Sequence, residues 1–122
     1  MKTDVLFAGV ATTDLPRALP WYAALLGRPA DIVVHDGEVM WKVADAGWLN
    51  LFADGAMAGG AVVTVAVPDL DAALAEIAGR GLARPAVETI PGARRKAPFV
   101  DADGNTITLI EVVARDNEGG GS

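Results

Sequence analysis

The sequence predicts an α+β domain assembled from one structural unit used twice, and three observations carry that expectation. The segment Val10-Ala11-Thr12-Thr13-Asp14-Leu15 returns as Val65-Ala66-Val67-Pro68-Asp69-Leu70, an offset of 55 residues (65 − 10), and Ala18-Leu19 returns at the same offset as Ala73-Leu74. Each copy passes from a short apolar run to a stripe at helical spacing, then to further short apolar runs separated by turn formers. A chain of 122 residues suits one domain with a substantial core and is too short for two independent ones, so both copies share one fold. A duplicated unit of one strand, one helix and several strands is a way to build a ligand cavity between two half-sites.

The first copy opens with a buried strand from Val5 to Ala11, ended by the cap sequence Thr12-Thr13-Asp14. Leu15, Ala18, Leu19, Tyr22 and Leu26 recur at helical spacing, and Gly27 supplies a C-cap, so the first helix is expected over Leu15 to Leu26. Pro16 falls in its first turn at little cost, whereas Pro20 removes a hydrogen bond and predicts a kink or an irregular first turn. Runs at Asp31 to His35, Val39 to Ala44 and Trp48 to Ala53, separated by Asp36-Gly37 and Asp45-Ala46-Gly47, predict an antiparallel meander. Asp54 to Gly60 is the connection between copies. The second copy then repeats the order, with a strand from Val62 to Val67, a helix capped by Asp69 with Leu70, Ala73, Leu74 and Ile77 on one face, and strands at Val87 to Ile90, Lys96 to Asp101 and Thr106 to Val113. Asp103-Gly104-Asn105 is expected to form the tight turn between the last two. One domain over residues 1–115 is expected, with units at about 4–55 and 60–114 and a Gly-rich flexible tail at 116–122.

Composition narrows the function classes. The chain is 52% hydrophobic and 21% charged, which marks a globular protein. A formal charge of −6 opposes phosphate binding, so no nucleic-acid partner is expected, and Arg94-Arg95-Lys96 reads as solvated strand charge. No apolar stretch is long enough to span a bilayer and Met1-Lys2-Thr3-Asp4 does not begin a signal sequence, so no membrane partner and a cytoplasmic location are expected. The absence of cysteine removes disulfides, thiolate metal sites and thiol nucleophiles together. Ser122 is the only serine, so no nucleophilic constellation is visible and the catalytic residues are unknown. Glu38, Asp45, Glu88, Asp101 and Glu111 lie on or beside strands and read as exposed solubilising charge, as does the single histidine, His35, beside a turn.

The motifs Asp14-Leu15, Trp21-Tyr22 and Leu26-Gly27, followed by a meander and then by a second copy ending Asp101-Ala102-Asp103-Gly104-Asn105, resemble the vicinal oxygen chelate superfamily over about residues 5 to 113. That superfamily includes glyoxalase I, bleomycin and fosfomycin resistance proteins and extradiol dioxygenases. The resemblance implies two tandem βαβββ units forming a curved, incomplete mixed β-barrel around a cavity, with helices outside, and a homodimer. It also implies where a metal would sit. The ligand positions of metal-dependent members fall here on Phe7, Val62, Thr108 and Asn50 or a neighbour, and this set lacks the several N or O donors a divalent ion needs. No metal and no cofactor are therefore expected.

Strand alternation then assigns the cavity wall. If Phe7 points inward, so do Gly9 and Ala11, with Val62, Thr64 and Ala66 from the second copy, Thr106, Thr108 and Ile110 from the last strand, and Trp48, Asn50 and Phe52. Trp41 is either core or a ligand contact, and Phe7 either stacks on a ligand or fills the place of a metal. The candidate ligand-binding residues are Phe7, Trp41, Trp48, Asn50, Phe52, Val62, Thr64 and Thr108. This apolar and aromatic set suits a small molecule, and the leading reading is a metal-free binding protein of the bleomycin-resistance type that sequesters a hydrophobic or aromatic ligand. The alternatives are a glyoxalase- or dioxygenase-like enzyme (lyase, isomerase or oxidoreductase) with displaced metal ligands or a carboxylate base, and a dimerisation or regulatory module whose cavity is closed by Phe7, Trp48 and Phe52.

Overall fold

The computed structural model describes residues 1–91 and 94–111 of the chain. Its first unit runs β1 (Leu6–Thr12), α1 (Leu15–Leu26), β2 (Ile32–His35), β3 (Glu38–Ala44) and β4 (Gly47–Ala53). The second repeats the order as β5 (Val62–Val67), α2 (Leu70–Gly79), β6 (Glu88–Ile90), β7 (Arg94–Val100) and β8 (Thr106–Glu111). Each unit makes a four-stranded mixed sheet, ordered β1-β4-β3-β2 and β5-β8-β7-β6. In both, the first strand lies parallel to the last and the remaining pairs are antiparallel. The two sheets form a curved arrangement without closing into a barrel, as expected of paired βαβββ units. No helix among the described residues is long and apolar enough to cross a membrane.

The repeated Asp-Leu motif works as a repeated helix start. Asp14 and Asp69 are extended N-caps whose carboxylates accept from the N–H groups of Arg17 and Ala72 at 3.2 and 3.0 Å, satisfying donors that the first helical turn leaves unpaired. Gly27 closes α1 with φ +89°, a left-handed cap that glycine adopts without a Cβ penalty. Pro20 lies within α1, which is assigned as helix from Leu15 to Leu26.

Each helix covers one face of its sheet. Leu15, Ala18, Tyr22 and Leu25 of α1 join Val10, Val39, Trp41, Leu49 and Leu51; Leu70, Leu74 and Ile77 of α2 join Ala97, Phe99, Ile107 and Leu109, and all belong to one continuous core. The Val-Leu pairs at the sheet centres, Val10 with Leu51 and Val65 with Leu109, occupy matching places in the two parallel ladders. Leu6 departs from the expected parity. It shares the alternation of Val10, yet it is 70% exposed at the free end of β1, beyond the cover of the helix.

β7 begins at Arg94, earlier than the expected Lys96, because Arg94 and Arg95 pair with Ile90 and Thr89. Arg95 is also held by Glu111 and Asp71, and Lys96 lies 3.7 Å from Glu88, so these two cations of the cluster are engaged within the domain. The expected Val112 and Val113 of the last strand, and the tail at 116–122, lie outside the described residues.

The turn Asp101–Asn105 does more than join two strands. Asn105 is fully buried; its Nδ2 donates to the Ala11 carbonyl and to Asp101 Oδ2, both at 2.9 Å, while its Oδ1 accepts from the Gly59 and Ala61 N–H groups at 3.1 and 3.0 Å. One amide thereby ties together the end of β1, the connection between units and the β7–β8 turn. The expectation that Asp101 is exposed charge is wrong: it is buried, accepts the Tyr22 hydroxyl proton at 2.6 Å and takes the N–H groups of Asp103 and Asn105. Burial first, and then this hydrogen bond, push the Tyr22 hydroxyl upward in pKa and keep it a donor. Asp103 reaches the first unit directly, accepting from Thr12, from the Thr13 hydroxyl and N–H, and from Arg17. Gly59 is required in the opposing segment: its φ is +103°, and a Cβ there would stand 2.6 Å from the Asp103 carbonyl oxygen.

Asn105→Ala is expected to cost about 3 kcal/mol in urea unfolding, since it leaves the Ala11 carbonyl and the Gly59 and Ala61 N–H groups without this partner and takes one of its donors from Asp101. Hydrogen bonds from Thr12 and then Thr13 hold the Asp103 carboxyl at about 2 in the folded protein, below its ordinary value of 3.8. Its contribution to stability is therefore complete above the ordinary value and lost as pH falls toward about 2. Acid unfolding curves of Asp103→Asn should be flatter across that window than those of the parent.

Candidate functional site

The face of each sheet opposite its helix is open, and strand register shows which side chains share it. On the first sheet, cross-strand rows place Phe7 beside Trp48 and Lys42, Gly9 beside Asn50 and Met40, and Ala11 beside Phe52 and Glu38. On the second, Val62 lies beside Thr106 and Val100, and Thr64 beside Thr108 and Pro98. Seven of the eight candidate residues thus fall on open faces: Phe7, Trp48, Asn50 and Phe52 on one sheet, and Val62, Thr64 and Thr108 on the other.

Trp41 does not join them. It pairs with Leu49 on the helix-covered face, is fully buried near Tyr22, and its indole N–H donates to the Arg28 carbonyl at 2.9 Å. An apolar recess of about 360 Å³ between α1 and β2 has Trp41 in its wall, on the opposite side of the sheet from Asn50. The reason is the strand's period of two: Val39, Trp41 and Val43 alternate with Glu38, Met40 and Lys42. Glu38, Met40 and Lys42 are therefore the members of the open face absent from the candidate set. The β3 alternation was the signal that could have found them, once Val39 and Trp41 were assigned to the core.

The two open faces differ in chemistry. The first is aromatic and carries a carboxylate and an amide; the second is aliphatic, with paired threonine hydroxyls. Neither face is sealed within the chain, since Phe7 is 55% and Val62 75% exposed. A recess of about 330 Å³ lies where the first face meets the connection between units, lined by Gly9, Ala11, Phe52, Met57, Gly60 and Ala61. Gly9 makes room for the Phe52 ring, whose Cε1 would be only 3.2 Å from a Cβ at that position.

Asn50 holds the polar centre of the first face. Its Nδ2 donates to Glu38 Oε2 at 2.8 Å, and its Oδ1 is the one buried side-chain polar atom among the described residues without a partner. Glu38, expected to be exposed, keeps only 24% of its side-chain surface in solvent, with its other oxygen 3.6 Å from His35 Nε2. His35 is itself exposed, as expected. The positions that would carry a metal in chelating relatives do not fit one. Phe7 and Val62 have no donor atom, Asn50 and Thr108 offer one amide and one hydroxyl on separate sheets, and among the described residues no three His, Cys, Asp or Glu side chains converge.

The fold and site can be set beside known proteins. No protein-family sequence model matches the chain, and no curated protein sequence matches it. Among solved structures, it is similar to a glyoxalase/bleomycin resistance protein from Catenulispora acidiphila, with 36% identity and a TM-score of 0.85 over 91% of this chain and 100% of that one. A member of the glyoxalase/bleomycin resistance protein/dioxygenase superfamily from Sphaerobacter thermophilus matches with 22% identity and a TM-score of 0.68, covering 91% and 98%. A bleomycin-binding protein in complex with bleomycin matches with 18% identity and a TM-score of 0.69, covering 93% and 100%, a likeness of fold.

The two faces of the first sheet should separate in mutagenesis. Trp41→Ala is expected to cost about 4 kcal/mol in urea unfolding, through cavity formation in the core, whereas Phe52→Ala on the open face should cost less than about 1 kcal/mol.

Proposed function

The chain belongs to the glyoxalase/bleomycin resistance protein family, and on that premise we propose that it is a metal-free, cytoplasmic binding protein that sequesters a hydrophobic or aromatic small molecule and thereby confers antibiotic resistance. The observation that carries this reading is the open face of the first sheet, where Phe7, Trp48 and Phe52 surround the half-buried Asn50 beside the 330 Å³ recess. Aromatic side chains offer large, rigid contact area, and a few fixed polar atoms orient what they hold. The bleomycin complex formed by one structural neighbour supports a small molecule as the ligand class. Val62, Thr64 and Thr108 form the second wall of this binding site.

The second wall is proposed to come from another copy of the chain. Phe7, Val62, Leu6 and Val100 leave large apolar side chains in solvent on or beside the open faces, a surface that a homodimer with two composite cavities would cover. The enzyme alternative rests on Glu38, a half-buried carboxylate on the same face, which could serve as a base.

Sedimentation velocity is expected to give twice the chain mass. A thermal-shift screen of planar aromatic compounds, glycopeptide-like drugs and small oxo acids should return stabilising hits among the first two groups, with the metal content of purified protein well below one equivalent. A stoichiometric divalent ion, lost on chelation together with turnover of an oxo acid, would replace the binding reading with the enzyme.

A further inference from the structure

We infer that the ligand of this site is an organic cation bearing N–H donors on a flat apolar body, and that Glu38 and Asn50 together receive its charged head. The inference rests on the small-molecule-binding reading above and adds the chemistry of the group recognised.

The argument begins with the orientation of the Asn50 amide. An ionised Glu38 carboxylate can only accept hydrogen bonds, so the nitrogen of the amide must be the atom that faces it at 2.8 Å, and the carbonyl oxygen is turned away. That oxygen is buried and unpartnered, and so leaves an acceptor that an incoming N–H donor can satisfy. Glu38 is short of donors as well. Among the described residues no lysine or arginine forms an ion pair with it, although three-quarters of its side-chain surface is withdrawn from water.

His35 makes no hydrogen bond to Glu38. The Gly37 N–H donates to His35 Nδ1 at 3.0 Å, so that nitrogen is engaged within its own turn. Nε2 in turn stands 3.6 Å from Glu38 Oε1, too far for a hydrogen bond. The site thus presents a carboxylate and an amide oxygen side by side, and among the described residues no lysine or arginine, Lys42 of the same face included, is paired with that carboxylate. An ammonium or amidinium head, with several N–H groups, would serve both.

The surroundings supply the rest of the ligand's chemistry. Phe52 lies directly across the ladder from Glu38 and lines the recess beside Gly9, while Trp48 precedes Asn50 by two residues on the same face. Aromatic faces attract a cation and stack on a flat body, so both halves of the ligand find a matching surface.

The test uses four probes that share a naphthalene body: naphthylmethylammonium, its N-trimethyl analogue, naphthylmethanol and naphthoate, each titrated calorimetrically into the full chain. The ammonium is expected to bind about tenfold tighter than the alcohol, the value of one charge-assisted hydrogen bond, with the N-trimethyl cation weaker than the ammonium and naphthoate weakest. Glu38→Gln should erase the advantage of the ammonium over the alcohol, and Asn50→Leu, which removes the amide acceptor, should reduce it. Equal binding of ammonium and alcohol, equal binding of the two cations, or a preference unchanged in both variants would overturn the inference while leaving the binding reading in place. Failure of all four probes, with no change in the amide spectra of Trp48 and Phe52, would remove the binding reading and this inference together.

Discussion

The buried amide of Asn105 is the contact on which the arrangement of the two units depends. A sheet covered by one helix can bury only one face, so each unit alone is a thin layer with little to set its place relative to the other. The helices contribute by sharing a core, but apolar contact is not directional. Asn105 is directional. With both N–H groups and its oxygen matched to Ala11, Asp101, Gly59 and Ala61, it accepts one relative placement of β1, the connection and the last hairpin. Tyr22, Asp101 and Asp103 extend the same bonding to α1, and the depressed carboxyl of Asp103 reflects how many donors converge on it.

With the units clasped, the molecule divides its work between two faces. The helix-covered faces hold most of the fully buried residues, Trp41 and Tyr22 among them, and so most of the stability. The open faces carry side chains that do little for folding. Phe7, Trp48, Phe52 and the Glu38–Asn50 pair have no internal role that would require their bulk or their charge, and one of them leaves an acceptor unmatched. A protein tolerates such a defect where function compensates for it. The duplicated frame thus carries two chemically different open faces, one aromatic and acidic, the other aliphatic and hydroxyl-bearing.

Much of this was legible in the residues. The repeated cap Asp14-Leu15 and Asp69-Leu70 marks both helix starts, because a side chain bonding its own first turn is a local event. The period of two in β4 places Leu49 and Leu51 in the core and Trp48, Asn50 and Phe52 on the other face for the same local reason. Trp41 was ambiguous only while β3 was read without its partner. Once its register against β4 is known, Trp41 pairs with Leu49 and must be core. Asp101 was misjudged as surface charge because its partners, Tyr22 and Asn105, include one that is 79 residues away.

The sequence by itself determined the duplicated βαβββ order, the helix limits and the faces of most strands, all of which follow from neighbours within a few residues. Only the tertiary structure decided that the Asp101–Asn105 turn is a clasp, that the open faces remain unsealed within one chain, and that Glu38 and Asn50 meet with an acceptor to spare. These depend on hydrogen bonds and burial between segments far apart in the chain, and such partners leave no periodic trace in either segment alone.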